Sequence, residues 1–236
     1  MQAMILAAGL GTRLGHLTAD RPKALVEIKG KTLLEITAQK LIAAGCTHLI
    51  INAHHFADQI VSFIETKNGF GVQTDISVED TLLDTGGGIR FASRYFEQAP
   101  LLIHNVDIIT DLDLAGFYAA GRELQADALL AVRQRSSNRY FSFDTSMQLR
   151  GWESVNPAIR KGAVERGDGR QFGFLGIHLI SPELMDHFFF FFAFSVVDWY
   201  LDLAAGGKRI MGHINNDAVW IDVGTPEKLK AAESLV

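Results

Sequence analysis

The sequence predicts an α/β chain with a doubly wound, mostly parallel sheet covered by helices on both faces. Three observations carry this. Apolar, strand-like runs alternate with stretches of helical period along the whole chain, and the first run ends in a glycine turn. With 48% hydrophobic residues and only 5 prolines in 236, the chain can bury a large core and is not disordered. We expect one domain, residues 1–236, with a polar and glycine-rich stretch at 139–173 forming a small lobe or flap beside the sheet.

The elements follow in order. Ala3 to Ala8 reads as a buried strand running into Gly9-Leu10-Gly11. Residues 32–44 place Leu33, Leu34, Ile36, Leu41 and Ile42 at mostly helical spacing, with Thr32 and Glu35 as a capping box and Gly45 as a stop. A strand from His48 to Asn52, a helix from Asp58 to Glu65 and a strand from Val72 to Val78 extend the alternation. Gly86 to Phe96 predicts a helix, Leu101 to His104 a strand, Leu114 to Leu124 a helix and Ala128 to Val132 a strand. Tyr140 to Phe143 alternates as a hairpin strand does, and Phe172 to Ile180 is strand-like. Ser181-Pro182-Glu183 is a helix start, Ser195 to Ala205 a helix ended by Gly206-Gly207, and Val219 to Val223 a last strand. Thr225-Pro226-Glu227 opens the terminal helix, with threonine as cap. In such a sheet, ligands bind beyond the carboxyl ends of the strands.

Charge and composition narrow the function. A net charge of −5 gives no general attraction for a polyanion, and no local basic patch suited to nucleic acid is present. The longest apolar run, Phe188 to Val197, falls well short of the ~20 residues that cross a bilayer, so no membrane span is expected. The single cysteine, Cys46, cannot form an intramolecular disulfide, and the first residues lack the pattern of a secretory signal. The cytoplasm is the expected address.

The chemistry concentrates in residues 6–25, LAAGLGTRLGHLTADRPKAL. Glycines at 9 and 11 let backbone amides approach a phosphate, and Arg13, Arg21 and Lys23 put three cations within eleven residues of an acidic chain. This suits a polyphosphate. Gly9, Gly11 and Gly15 also mimic a dinucleotide fingerprint, but Thr18, Asp20 and Pro22 interrupt the long helix that fingerprint requires. Hydride transfer to NAD is set aside.

The same segment resembles the signature of sugar-1-phosphate nucleotidylyltransferases, a G-x-G-T-R turn followed about ten residues later by Pro-Lys. The resemblance continues through Asp84-Thr85-Gly86-Gly87-Gly88, Asn105-Val106-Asp107, Phe174-Leu175-Gly176-Ile177 and Trp220-Ile221-Asp222-Val223-Gly224-Thr225-Pro226. It implies the Rossmann-like fold of nucleotide-diphospho-sugar transferases with a small sugar-binding lobe. It also implies attack by a sugar-phosphate oxygen on the α-phosphorus of a nucleoside triphosphate, with pyrophosphate leaving. Short bacterial members suggest UTP with N-acetylmuramate 1-phosphate, or alternatively GTP with mannose 1-phosphate.

By that resemblance Arg13 would hold the leaving phosphates and Lys23 would bridge the α-phosphate and the incoming sugar phosphate. Leu6, Ala7, Ala8, Gly9, Gly11, Thr12, Asp80, Thr85 and Gly86 would complete the nucleotide site, with Glu79 or Asp80 near the base. Asp107 and Asp222 would hold Mg²⁺ through hard carboxylate oxygens. Asn105, Gly176 and Asp198 would lie by the sugar, although the acidic-basic pair common in relatives is not evident in residues 152–162. His16 stands where relatives have proline. A homo-oligomer is compatible with the sequence. The remaining readings are a metal-dependent glycosyltransferase, using Asp111-Leu112-Asp113 as a D-x-D motif, and a non-catalytic nucleotide-sugar sensor. The first gives no reason for Arg13 and Lys23. The second would be favoured by loss of Arg13, Lys23, Asp107 or Asp222, all of which are present. His54 and His55 lack further ligands at zinc spacing and are read as surface or cap residues.

Overall fold

A computed structural model describes residues 1–162, 170–187 and 192–235. The chain begins with β1 (Gln2–Leu6) and two short strands, β2 (Glu27–Ile28) and β3 (Lys31–Thr32). There follow α1 (Leu33–Ala43), β4 (His48–Ala53), α2 (Ala57–Thr66), β5 (Gln73–Val78) and α3 (Asp84–Ala92). Next come β6 (Leu101–Asn105), β7 (Ile108–Thr110), α4 (Leu114–Glu123) and β8 (Ala128–Arg133). Then come β9 (Arg139–Phe143), β10 (Leu149–Ser154) and β11 (Ile159–Gly162), before the long β12 (Arg170–Ile180) returns to the centre of the same sheet. The end of the chain holds α5 (Val196–Ala205), β13 (Ile210–Ile214), β14 (Trp220–Asp222) and α6 (Pro226–Ala232).

β1 lies at the middle of the parallel part, between β4 and β6, with β5 beyond β4. Ala3, Met4 and Ile5 are fully buried because helices cover both faces. One face packs Leu33, Leu34 and Leu41 of α1, Ile60 and Ile64 of α2, Phe117 of α4 and Ala232 of α6. The other packs Ile89 and Ala92 of α3 against Trp199 and Tyr200 of α5. Each fully buried large side chain contributes roughly 1.5–3 kcal/mol relative to exposure. The doubly wound expectation holds, with a mixed far side: β12 runs antiparallel to β6 and β8, and β13 runs parallel to β8.

The local signals were read by the chain with small differences. Thr32 caps α1, its hydroxyl accepting the Glu35 N–H at 3.1 Å, but the Glu35 carboxylate pairs with Lys67 at 3.0 Å instead of completing the box. The third long helix starts at Asp84, two residues before the sequence-based start, and ends at Ala92 in a short 3-10 turn. Ser181-Pro182-Glu183 opens only a 3-10 run over Pro182–His187. β13 escaped the periodicity because Gly212 and His213 break its short apolar run. The stretch from 139 to 173 does form antiparallel strands, β9 to β11, joined to the main sheet through the first residues of β12. Part of that stretch, 163–169, and Phe188 to Phe191 of the phenylalanine run lie outside the described residues. Among the described residues, no helix is long and apolar enough to cross a membrane.

Two histidines are sealed in the sheet. His178 meets the Tyr200 hydroxyl through Nδ1, and His104 meets the Asn105 carbonyl oxygen at 2.8 Å. Burial lowers their pKa values to about 3 and about 4 respectively from the ordinary 6.5. Below pH 6.5 the unfolded chain takes up protons there that the native chain refuses, so stability is lost as pH falls. The slope is up to about 1.4 kcal/mol per pH unit for each histidine. Denaturant midpoints should drop steadily from pH 6.5 toward 4, and a His178→Gln variant should show a shallower drop.

Candidate active site

The loop after β1 is shaped by its glycines. Gly11 adopts φ 66°, and a Cβ there would meet Lys23 Cβ at 2.8 Å, so the turn is folded directly onto Lys23. Thr12–Thr18 forms 3-10 turns interrupted at Gly15 with φ 58° and ψ −122°, so no long helix follows and the dinucleotide reading fails structurally. Leu6, Ala8, Gly9, Gly11, Thr12, Arg13 and Lys23 all border a cleft of about 620 Å³ at the carboxyl ends of the parallel strands. Ala7 is buried beneath them, with its N–H donated to Asn52 Oδ1 at 2.7 Å.

The same cleft is bordered by Asn105, Val106, Asp107 and Gly224. Lys23, itself only 7% exposed, extends its ammonium to Asp107 Oδ2 at 2.5 Å. Asp222 reaches the same place because β14 pairs antiparallel with β7, setting Asp222 opposite Ile108, and the Val223 N–H donates to the Asp107 carbonyl oxygen at 2.9 Å. Arg13 closes the group. A Cβ built on Gly224 would lie 2.7 Å from Arg13 Nη2 and 2.9 Å from Asp222 Oδ1. The two cations of the opening loop and the two aspartates from distant parts of the chain therefore meet on one face.

The donor set is suited to a hard divalent cation. Asp222 Oδ1 is buried and has no hydrogen-bond partner among the described residues, while Oδ2 is 3.9 Å from Lys228 Nζ. No group of three or more His, Cys, Asp or Glu side chains forms a complete metal cage among those residues. Asp107 and Asp222 are hard oxygen donors of the kind that suit magnesium, which commonly takes one or two carboxylates and fills its shell with substrate phosphates and water.

A buried relay holds the loop in place, through Asn52, which sequence reasoning missed, and Glu79, which it put near the base. Asn52, at the carboxyl end of β4, accepts from Ala7 N–H and donates to Glu79 Oε1 at 2.7 Å. Glu79 Oε2 accepts the Leu83 N–H at 3.1 Å. Burial pushes the Glu79 carboxyl above the ordinary carboxylate range, and the Leu83 and Asn52 donors pull it partly back. The signal was present, because a polar residue ending an apolar parallel strand points to the ligand side of the sheet.

Other expected positions separate. Thr85 borders the cleft, but its N–H donates to Asp84 Oδ1 at 2.6 Å. The Gly86 N–H donates to the Phe194 carbonyl oxygen at 2.9 Å, and a Cβ at 86 would strike the Phe194 ring. Gly86 is thus small for packing. Asp80 borders a separate, smaller cavity with Arg90 and Phe192. Gly176 touches Asn105, whereas Asp198 pairs with Lys161 at 2.5 Å on the exposed lobe side. Arg21 is exposed and pairs with Asp20 at 3.1 Å, outside the cleft lining, and His16 is exposed too. Asp111 Oδ1 accepts the Val219 N–H at 2.7 Å and Asp113 caps α4, so the D-x-D carboxylates have structural partners. His54 Nδ1 bonds the Glu79 carbonyl oxygen at 2.9 Å, a structural role.

Asn52→Ala would leave the Ala7 amide and a Glu79 oxygen unpaired beneath the loop, at about 1–3 kcal/mol for each orphaned group. We expect a lowered unfolding midpoint together with a raised KM for the triphosphate. Unchanged values of both would remove the relay from the account.

A family model described as nucleotidyl transferase matches residues 2–142. N-acetylmuramate alpha-1-phosphate uridylyltransferase of Caulobacter vibrioides is 31% identical over 98% of this chain and 95% of its own. The protein of that name from Neisseria meningitidis serogroup B is 32% identical over 100% of this chain and 98% of its own. Among solved structures, HddC from Yersinia pseudotuberculosis, complexed with GMP-PN, has a TM-score of 0.77 at 25% identity, covering 99% of this chain and 98% of its own. A putative glucose-1-phosphate thymidylyltransferase from Bacillus anthracis shares the fold, with a TM-score of 0.82 at 17% identity over 100% of this chain and 94% of its own. With these relatives, and with the glycine loop, its two cations and Asp107 bordering one cleft beside Asp222, the chain belongs to the nucleotidyl transferase family.

Proposed function

We propose that this chain is a magnesium-dependent sugar-1-phosphate nucleotidylyltransferase that joins UTP and N-acetylmuramate 1-phosphate. The observation that carries the reaction is the buried Lys23 ammonium, poised on Asp107 within a cleft bordered by phosphate-accessible loop backbone. The substrates are supported by the names of two relatives that match nearly end to end at over 30% identity. On this reading the product would be a cell-wall precursor, and use of a nucleoside triphosphate fits a cytoplasmic reaction.

In the reaction a sugar-phosphate oxygen forms a bond to the α-phosphorus while the bond from that phosphorus to the bridging oxygen of the β-phosphate breaks, releasing pyrophosphate. Two anions must approach, and each pair of like charges at ~4 Å costs about 4 kcal/mol at an effective dielectric near 20. Lys23 offsets this repulsion between the two reacting phosphates, and Arg13 receives the charge that builds on the leaving group. The loop amides orient the triphosphate. No general base is needed, since a phosphate monoester is already ionised near neutral pH, and positioning with electrostatics carries the rate. Asp107 and Asp222 would hold magnesium, which when bound supplies positive charge to the triphosphate.

The test is a matrix of nucleoside triphosphates against sugar 1-phosphates scored by pyrophosphate, run on wild type and on Lys23→Ala. We expect greatest turnover with UTP and N-acetylmuramate 1-phosphate, and a fall of at least about a hundredfold in kcat in the variant with its circular dichroism retained. Near-normal pyrophosphate release by the variant would take Lys23 out of the mechanism. Sugar transfer to an acceptor without pyrophosphate would favour the glycosyltransferase reading.

A further inference from the structure

Arg135 lies in the connection between β8 and the lobe strand β9, beside the proposed metal carboxylate, and the reaction as derived above gives it no task. Its guanidinium stacks on the Trp220 ring at 4.7 Å, two residues before Asp222 on the same strand. Nη2 donates to the Phe174 carbonyl oxygen at 3.2 Å, and Trp220 is fixed in turn by donating Nε1–H to the Leu175 carbonyl oxygen at 2.8 Å. Those two carbonyls immediately precede Gly176, whose neighbour Asn105 borders the cleft.

The guanidinium lies directly over Gly173. A Cβ on Gly173 would stand 2.4 Å from Arg135 Nε and 2.9 Å from its Cζ, so a larger residue at 173 would make this flexible side chain shift. Burial lowers the Arg135 pKa, and the nearby charges of Asp222 and Tyr140 act in the opposite sense, with Arg133 opposing them. A half-buried guanidinium held over an aromatic ring loses little further freedom on binding a carboxylate, a shape its remaining donors match. Among the described residues, other cations near these strands are engaged: Lys161 pairs with Asp198, and Arg150 with Asp144.

We propose that Arg135 is a specificity-determining residue that pairs with a carboxylate substituent on the sugar ring, selecting an acidic sugar 1-phosphate over its neutral counterpart. The inference rests on the substrate reading above. It adds the residue that reads the difference between N-acetylmuramate 1-phosphate and N-acetylglucosamine 1-phosphate, which lacks the lactyl carboxylate.

The experiment compares kcat/KM for those two sugar phosphates at saturating UTP in wild type, Arg135→Gln, Arg135→Lys and Gly173→Ala. In wild type the acidic sugar should be preferred. Arg135→Gln should shrink that preference roughly tenfold to hundredfold, mainly through KM for the acidic sugar, and Arg135→Lys should restore part of it. Gly173→Ala, by displacing the guanidinium, should shrink it in the same direction. A preference that survives in Arg135→Gln, or equal losses on both sugars, overturns the assignment of Arg135. A wild-type enzyme without preference overturns the substrate reading itself, and the inference falls with it.

Discussion

The ion pair between Lys23 and Asp107 is the contact on which the site depends. An ammonium so deeply buried is tolerable only beside a counter-charge, because desolvation of an isolated ion costs several kcal/mol. Asp107 supplies that charge in the resting protein and is itself one of the two carboxylates suited to a metal. The same carboxylate can therefore keep Lys23 aimed into the cleft before any substrate arrives.

Every other feature of the site keeps these two residues facing each other. Gly11 allows the loop to close over Lys23. The two-stranded pairing of β7 with β14 ties Asp107 to Asp222, with the Val223 N–H donating to the Asp107 carbonyl oxygen at 2.9 Å. Beneath the loop, Asn52 and Glu79 hold the Ala7 amide, so the glycine turn is anchored to β4 and to the start of α3. Rigid support of this kind is what electrostatic catalysis requires, since donors already in place need no reorganisation as charge develops.

Much of this was legible in the residues. The alternation of strand and helix gave the doubly wound sheet, because parallel strands must be covered on both faces and show it as continuous apolar runs. The loop cations could be read from their spacing, and the pairing of Asp107 with Asp222 from the resemblance, since no local pattern connects positions more than a hundred residues apart. Asn52 went unread as a site residue because its role lies in side-chain bonds to two other strand ends. Gly86 was read as a base contact, whereas its smallness answers to the Phe194 ring, which no spacing reveals. Asp111 and Asp113 show the converse, a metal-like motif used for a strand connection and a helix cap.

The central claim is that Arg13 and Lys23 meet the triphosphate at the place where Asp107 and Asp222 would hold the metal. A crystal structure with a non-hydrolysable UTP analogue and magnesium tests it most directly. The account predicts Lys23 Nζ within hydrogen-bond distance of the α-phosphate, Arg13 at the terminal phosphates and the metal between the two aspartates. A triphosphate seated away from the glycine loop, or a metal held without either carboxylate, would contradict it.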